Sequence, residues 1–317
     1  MGAMGTGAEP GPRDFDLLAI GEPMVEFNQT RADDERSYRL GFGGDTSNAV
    51  IAAARQGARA AYFSRLGDDA FGRSLLALWS REGVDASWVQ VDAQAPTGIY
   101  FVHHGPKGHA FSYRRAGSAA SRMTAADLPL ALIARARYLH VSGISQAISE
   151  SACAAVEAAI AHARASGTKV SYDPNLRLAL WPLERAAEVI RPTIAQCDEF
   201  LPSIDDVRQV SGLTEPRAII AWAHDLGAPR VVLKLGREGA LVSEGRGFIE
   251  VPAHRVVAVD ATGAGDCFDG SYLARRAAGD GMEAAAGWAC VAAALATTGY
   301  GAVDPLPTRE MVQKFLR

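Results

Sequence analysis

The chain has 317 residues, of which 48% are hydrophobic and 21% charged, so it can bury a sizeable core and lacks the composition of a disordered protein. Its formal net charge is −4 and it has no block of lysines and arginines, which argues against a nucleic-acid partner. The longest apolar stretch, residues 284–298, is too short and too rich in alanine to span a bilayer and predicts a tightly packed helix.

Four cysteines, Cys153, Cys197, Cys267 and Cys290, show no C-x-x-C spacing and predict buried free thiols in a reducing, cytoplasmic compartment. Residues 1–13 are rich in glycine, alanine and proline and are expected to be a disordered leader.

Beyond this leader, predicted strands alternate with predicted helices. The apolar run 14–21 ends in glycine as a buried strand does, and it is followed by helix 47–57, strand 60–67, helix 68–83, strand 135–143, helix 149–167 and strand 169–175. The alternation continues through 184–196, 197–203, 205–212, 217–227 and 230–236, and the last long helices begin within 258–276. This order predicts an α/β fold with a mainly parallel sheet covered on both faces, and with ligands at the carboxyl ends of the strands.

Two segments, 22–42 and 97–117, interrupt the alternation. The second contains the turn Gly105-Pro106-Lys107-Gly108 between aromatic-rich runs, which is typical of a β-hairpin. Together the segments predict a small antiparallel lid inserted into one main domain, with ordinary loops as the alternative. The main domain would then comprise residues 14–21, 43–96 and 118–317.

A glycine-rich turn, Gly263-Ala264-Gly265, follows the strand-like segment 254–260 and opens a predicted helix. The glycines leave backbone N–H groups at the helix N-terminus open to an anion, and the helix dipole adds positive potential there. Asp266 beside such a site can accept a hydroxyl proton while the amides neutralise the charge on a phosphoryl group in transfer. The alternative is a plain turn with Asp266 as a helix cap.

Two motifs more than 200 residues apart carry a family resemblance. The stretch from Asp260 to Asp266, D-A-T-G-A-G-D, is similar to the C-terminal signature of the ribokinase-like, PfkB-type carbohydrate kinases, and residues 41–50 are similar to their sugar-binding signature. The resemblance runs from about residue 14 to about residue 305. It implies a ribokinase-like three-layer α/β/α fold with a β lid, ATP and Mg²⁺ as cofactors, and a catalytic role for Asp266 with Gly263, Ala264 and Gly265.

Further segments resemble the 2-keto-3-deoxygluconate kinases, which phosphorylate the terminal hydroxyl of a keto-acid sugar; these segments are 21–27, 112–119, 140–145 and 173–181. A sugar acid requires a cation against its carboxylate, and Arg115 and Arg177 are the matching positions. Arg114 would face the other way on an extended strand, as a solvated charge. A kinase of a neutral sugar is the alternative, followed by a catalytically silent sugar-binding regulator.

The resemblance places the remaining sugar contacts at Gly43, Gly44, Asp45, Asn48, Tyr100, Tyr113 and Ile144. Ordinary packing is the alternative for the two tyrosines and the isoleucine, and a plain strand-to-helix turn is the alternative for the two glycines.

For the nucleotide and its metal, the resemblance implies Ser203, Lys234, Gly236 and Gly239, together with the glycine-rich turn. Asp206 would act on Mg²⁺ through water, and Asp260 would lie near a monovalent cation such as K⁺. The alternatives are a strand-end role in water for Lys234 and a helix N-cap for Ser203 and Asp206.

The sequence departs from the family at Ala261 and Leu176, which puts the substrate preference in question, and at Ser203 and Asp206, which replace the Asn and Glu of a motif that influences Mg²⁺ and phosphate binding. Asp269 is expected to be an ordinary helix residue, and the pair His103-His104 lacks the spacing of a zinc site. Exposed strand edges on the lid predict a homodimer or higher oligomer formed through it.

Overall fold

The computed structural model describes residues 13–29, 36–105, 108–245 and 247–316. Most of the expected leader and the centre of the predicted lid turn lie outside these ranges. The strands are β1 (Phe15–Ile20), β2 (Met24–Asn28), β3 (Arg39–Gly43), β4 (Ala60–Phe63), β5 (Arg65–Gly67), β6 (Gln90–Asp92), β7 (Gly98–Gly105), β8 (Gly108–Arg114), β9 (Ala136–Ser142), β10 (Lys169–Asp173), β11 (Glu199–Phe200), β12 (Arg230–Lys234), β13 (Gly239–Glu244) and β14 (Ile249–Pro252).

The helices are α1 (Asp45–Arg55), α2 (Ala70–Arg81), α3 (Leu130–Ala134), α4 (Gly143–Ala147), α5 (Glu150–Ala165), α6 (Leu183–Ile194), α7 (Ile204–Ser211), α8 (Pro216–Asp225), α9 (Ala264–Ala277), α10 (Met282–Ala296) and α11 (Arg309–Phe315). None of the helices in the described ranges is long and apolar enough to cross a membrane.

An eight-stranded sheet with the order β14-β13-β12-β11-β10-β9-β1-β4 forms the centre of the molecule. The strands from β12 to β4 pair in parallel, whereas β12, β13 and β14 pair in antiparallel fashion at one edge. Helices connect successive parallel strands because a parallel pair needs a crossover, and this confirms the predicted mainly parallel sheet.

Helices cover both faces of this sheet. Successive residues of a strand point to opposite faces, so Leu18 and Ile20 of β1 join one buried apolar cluster with α5 and α6, while Leu17 and Ala19 join the other with α1, α9 and α10. The predicted three-layer arrangement is therefore confirmed. The four cysteines are buried and free, as predicted.

Two local expectations are wrong. The predicted strand 60–67 is two strands, because the chain leaves the central sheet after Phe63 and β5 pairs with β6 in a separate ribbon. The apolar pattern of 254–260 does not form a strand; Val257, for instance, is 87% exposed. The edge hairpin of β13 and β14 was not expected.

The lid segments form a four-stranded sheet with the order β3-β2-β7-β8 rather than ordinary loops. Its central pair, β2 and β7, is parallel, which corrects the expectation of a wholly antiparallel lid. The two strands come from separate excursions of the chain that leave the main domain side by side, so they run in the same direction. Met24, Tyr100 and Val102 form a small buried cluster in the lid.

The close packing of α9 on α1 generates a test at Gly270. A Cβ atom added there would lie 1.9 Å from the backbone oxygen of Ala49, so Gly270→Ala should lower the free energy of unfolding by roughly 1–3 kcal/mol. Gly287 of α10 has nothing within 4 Å of an added Cβ, so Gly287→Ala should raise the same quantity by up to about 1 kcal/mol. Urea unfolding measures both values, and a stabilising Gly270→Ala would contradict the packing argument.

Candidate active site

A cleft of about 1460 Å³ lies between the carboxyl ends of the central strands, the N-terminal end of α9 and the lid. Most sequence-predicted site residues line it. They are Gly44, Asp45, Asn48, Tyr100, Tyr113, Arg115, Ile144, Arg177, Ser203, Asp206, Lys234, Gly236, Asp260, Gly263, Gly265 and Asp266.

Three predicted residues are not among those lining the cleft. Gly43 ends β3, where an added Cβ would lie 2.3 Å from the Tyr100 hydroxyl oxygen. Gly239 begins β13, and its Cβ would lie 2.1 Å from the backbone oxygen of Val251, so this glycine permits close packing of the edge hairpin. Ala264 is the first residue of α9 and contributes backbone rather than side chain.

The N-terminal end of α9 faces the cleft with its backbone. Gly263 has a left-handed conformation (φ 74°) that turns the chain into the helix, and in the described part of the chain no side chain caps the first turn. The N–H group of Ala264 donates a 3.2 Å hydrogen bond to the backbone oxygen of Ala261, so the N–H groups of Gly265 and Asp266 are the ones available to an anion. Asp266 does not act as the cap; its carboxylate accepts a hydrogen bond of 2.8 Å from the Asn48 side chain.

Asp266 is placed to exchange a proton near neutral pH. Burial, and then the nearby Asp45 carboxylate, raise the pKa of Asp266 to about 7. The hydrogen bond from Asn48 and the charge of Lys234 act in the opposite direction. A carboxylate with this pKa is matched to general-base chemistry at neutral pH.

Two buried oxygens at the start of α1 have no hydrogen-bond partner among the described residues: Oδ1 of Asp45 and Oδ1 of Asn48. The other Asp45 oxygen accepts hydrogen bonds from the Ser142 hydroxyl and, at 3.4 Å, from the Asn175 amide. Because unpaired buried oxygens are costly, these two atoms suit the hydroxyl groups of a ligand in the cleft.

The lid arginine Arg115 is held by a buried glutamate. Its Nε donates a 2.7 Å hydrogen bond to Glu22, which also accepts a hydrogen bond from Ser118. Arg115 lies 5.7 Å above the Tyr113 ring, whereas Arg114 is exposed, as the alternation predicts. Arg177 also lines the cleft and is exposed, and its Nη1 donates to the backbone oxygen of Leu176.

Tyr100 and Tyr113 stack with ring centroids 5.9 Å apart on the inner face of the lid. The Tyr100 hydroxyl donates a 2.5 Å hydrogen bond to Glu26, so this tyrosine is fixed in place, while Tyr113 remains 38% exposed. Ile144, at the start of α4, supplies an apolar patch of the wall.

The ammonium group of Lys234 contacts two carboxylates, unlike that of a lysine that binds phosphate. Lys234 is buried, and its Nζ lies 2.9 Å from Asp173 and 2.9 Å from both carboxylate oxygens of Asp269. Burial alone lowers the pKa of Lys234, but the two carboxylates more than offset this and raise the pKa above its usual value. Asp269 is buried and ion-paired, so the expectation of an ordinary helix residue is wrong.

Ser203 is the N-cap of α7, and its hydroxyl accepts a 3.2 Å hydrogen bond from the backbone N–H of Asp206. The Asp206 carboxylate still lines the cleft, where burial and then Asp173 raise its pKa. Asp260 accepts hydrogen bonds from Thr262 and from the backbone N–H of Gly301, so it joins the turn before α9 to the chain after α10.

Sequence reasoning missed the site roles of Glu22, Glu26, Asp173 and Asn175, and the pairing of Asp269. The first four lie inside the segments 21–27 and 173–181, whose resemblance was recognised, but the partners of their side chains could not be read from the sequence. Asn175 has a positive φ of 34°, which is rare outside glycine and marks the turn after β10 as a strained part of the wall.

Known proteins resemble the chain over nearly its whole length. The family described as pfkB family carbohydrate kinase matches residues 14–309. A 2-dehydro-3-deoxygluconokinase from Thermoproteus tenax is 34% identical over 324 residues, covering 100% of this chain and 98% of the relative. Fructokinase-1 from Oryza sativa subsp. japonica is 34% identical over 325 residues, covering 95% of this chain and 97% of the relative.

Solved structures show the same fold. A PfkB protein from Polaromonas sp. JS666 superposes with a TM-score of 0.86 and 33% identity, covering 94% of this chain and 99% of that one. A fructokinase from Vibrio cholerae O395, crystallised with fructose, ADP and calcium, has a TM-score of 0.85 and 28% identity, covering 95% and 98% of the two chains.

The position of Lys234 gives a test that separates a buried ion pair from a phosphate contact. Lys234→Met leaves two buried carboxylates without their cation and should lower the free energy of unfolding by roughly 3–5 kcal/mol. Lys314→Met, at an exposed lysine of α11, is the control and should change it by less than about 0.5 kcal/mol. Unchanged stability with a raised Michaelis constant for the nucleotide would instead favour a phosphate contact.

Proposed function

Because the chain belongs to the pfkB family of carbohydrate kinases and is a sugar kinase, we propose that it phosphorylates the terminal hydroxyl of 2-dehydro-3-deoxy-D-gluconate with ATP, giving the 6-phosphate. The observation that carries the proposal is the position of Asp266. This carboxylate has a pKa near neutral and lies on the floor of the cleft, in the first turn of a helix whose N–H groups are uncapped by side chains of the described residues.

In the proposed reaction, Asp266 accepts the proton of the sugar hydroxyl as its oxygen forms a bond to the γ-phosphorus of ATP. The bond between the γ-phosphorus and the β,γ-bridging oxygen breaks, and ADP leaves with that oxygen. The N–H groups of Gly265 and Asp266 donate hydrogen bonds to the phosphoryl oxygens and stabilise their charge. The lid limits access of water, which would otherwise accept the phosphoryl group.

The substrate class follows from two arginines of the cleft. Arg177 and Arg115 both line the cleft, which supports a role for them in holding a carboxylate while the far hydroxyl reaches Asp266. The unpaired oxygens of Asp45 and Asn48 suit the hydroxyls between these two ends. The named relative from Thermoproteus tenax acts on this sugar acid according to its name.

A neutral sugar is the second candidate, and one observation favours it. Arg115 is already paired with Glu22, so its charge is partly neutralised before any substrate enters. Fructokinase-1 has the same 34% identity to this chain as the sugar-acid kinase from Thermoproteus tenax, so percentage identity alone does not choose between the two substrates. Under the first proposal, Arg177 supplies most of the charge that selects a carboxylate.

The metal and assembly proposals rest on geometry and exposure. We infer that Mg²⁺ lies near Asp206 through water, since this carboxylate lines the cleft and hard cations prefer oxygen ligands; the ion would neutralise phosphate charge. Asp260 is inferred to lie near a monovalent cation such as K⁺.

The exposed lid residues Leu40 and Phe111 support association of copies through the lid, in a cytoplasmic enzyme.

Replacing the proposed base tests the mechanism. Asp266→Asn keeps the shape of the side chain but removes its ability to accept a proton, so turnover should fall by a factor of about 10² to 10⁴ while sugar binding is nearly kept. Stopped assays of ADP formation and calorimetric titration with the sugar measure the two quantities. A loss of turnover of less than about tenfold would contradict the role of Asp266.

Arginine replacements test the substrate class. Wild-type protein should use 2-dehydro-3-deoxygluconate with a higher kcat/KM than fructose. Arg177→Ala and Arg115→Ala should each raise the Michaelis constant for the keto acid by about 10-fold or more, with little effect on that for ATP. Arg114→Ala removes a neighbouring exposed lid charge and is the matched control. Equal increases for the keto acid and for ATP would remove the carboxylate argument, and a higher kcat/KM for fructose would favour the neutral-sugar candidate.

A further inference from the structure

A buried ionic cluster lies directly beneath the glycine-rich turn of the active site. Lys234 at the end of β12, Asp173 at the end of β10 and Asp269 on α9 meet there, with all three Nζ–oxygen distances at 2.9 Å. A side-chain carbon built on Gly265 would lie 3.7 Å from the Lys234 ammonium, which shows how close the cluster is to the turn. The cluster therefore joins two strands of the sheet to the helix that carries Asp266.

If Asp173, Asp269 and Lys234 were all ionised, the cluster would carry one excess negative charge. The side chains of Asp173, Asp269 and Lys234 are 6%, 1% and 10% exposed, so an excess negative charge would be poorly solvated. The two carboxylates are also held close to each other, because both contact the same Lys234 ammonium at 2.9 Å. Two carboxylates in such contact do not both ionise readily, because their repulsion raises one of the two proton affinities.

We propose that Asp173 and Asp269 share one proton around Lys234, so that the cluster beneath the Gly263–Gly265 turn is electrically neutral. In this arrangement Lys234 donates hydrogen bonds to both carboxyl groups, and the shared proton lies between them. Burial raises the pKa of Asp269 well above its usual value, whereas Lys234 holds the pKa of Asp173 below its usual range despite burial. The proton belongs to the pair rather than to one residue.

The groups that face the cluster from neighbouring elements are compatible with one shared proton and no net charge in the cluster. His140 on β9 is buried, which lowers its pKa to about 4, so it is neutral at pH 7. Asp45 on α1, Asp266 on α9 and Asp206 on α7 are carboxyl groups, and each would be disfavoured as an anion by a further negative charge. The only charged residue of α10, Glu283, is exposed at the first turn of that helix.

A neutral cluster has a consequence for the reaction, and this consequence rests on the proposed function. An extra negative charge beneath the turn would raise the pKa of Asp266 and would oppose the binding of phosphate at the helix N-terminus. With the shared proton in place, the cluster fixes α9 to the sheet without adding charge to the site. Asp173, Lys234 and Asp269 then act as positioning residues for Asp266 and the turn.

The shared proton can be counted without any activity measurement. Both aspartates are expected to lose their protons well below pH 7 in the unfolded chain, so unfolding of the wild-type protein at pH 7 should release the shared proton. Asp269→Asn and Asp173→Asn each leave one carboxylate that is ionised beside Lys234 in the folded state. Each variant should therefore release about one proton fewer than wild type, as measured by calorimetric unfolding in buffers of different ionisation enthalpy.

Asp225→Asn, at an exposed carboxylate of α8, is the control and should leave the number of released protons unchanged. Either of the two cluster variants suffices if the other does not fold. Release of the same number of protons by wild type and the cluster variants would overturn the proposal, because it would mean that both carboxylates are already ionised.

The pH dependence of kcat/KM gives a second measurement, because it reports the ionisation of the free enzyme. Asp266 must lose its proton to act as a base, so kcat/KM should fall as the pH drops below about 7. Since either cluster variant keeps the cluster neutral, this acid limb should stay within about 0.3 pH unit of that of wild type. If both carboxylates were ionised, either substitution would remove a negative charge near Asp266 and shift the limb to lower pH.

The two proposals fail in different ways. If Asp266→Asn retained wild-type turnover, the proposed base would be wrong and the acid limb would not report on Asp266, but the proton count on unfolding would still decide the state of the cluster. If the proton count were unchanged while Asp266→Asn lost turnover, the cluster proposal would be wrong and the proposed function would stand.

Discussion

The structure depends on how the N-terminal end of α9 is attached to the sheet. This end must keep its backbone N–H groups free of side-chain caps, so it cannot be stabilised in the usual way by a serine or aspartate at the N-cap. Its attachment comes from below instead, through the ion pairs of Lys234 with Asp173 and Asp269, and from the side, through the bond between Asn48 and Asp266. The packing of α9 on α1 at Gly270 completes this support.

The carboxyl edge of the sheet therefore combines two requirements that conflict electrostatically. A base and hydroxyl acceptors require carboxylates, whereas ATP and a sugar acid are anionic and require positive potential. The protein meets both with fixed backbone dipoles at α9, with two arginines that line the cleft and with a lysine placed among carboxylates beneath the turn. Burial raises the pKa values of Asp45, Asp206 and Asp266 above their usual values.

Much of the fold followed from local patterns. The alternation of strands and helices predicted the parallel sheet and its two covering layers, and the glycine-rich turn located the start of α9. The parallel pairing of β2 with β7 was not predictable, because it depends on where two distant segments leave the main domain. The run 254–260 has the apolar content of a strand, yet it is exposed coil, since no neighbouring strand edge pairs with it within the described residues.

A site residue could be predicted from the sequence only where a single motif contained that residue together with the groups with which it acts. Asp266 and its glycines are contiguous, so their geometry could be argued from spacing. The partners of Lys234 and Arg115 come from residues 35 to 93 positions away in sequence, and no single-sequence pattern indicates such pairs. A lysine at a strand end looks the same in sequence whether it faces phosphate or a buried aspartate.

The pairing of Glu22 with Arg115 affects how the lid moves. Glu22 is 1% exposed and lies in the short connection between β1 of the central sheet and β2 of the lid, while Arg115 follows β8, the last strand of the lid. Pulling the arginine away would leave a buried glutamate without its cation, so the root of the lid resists displacement.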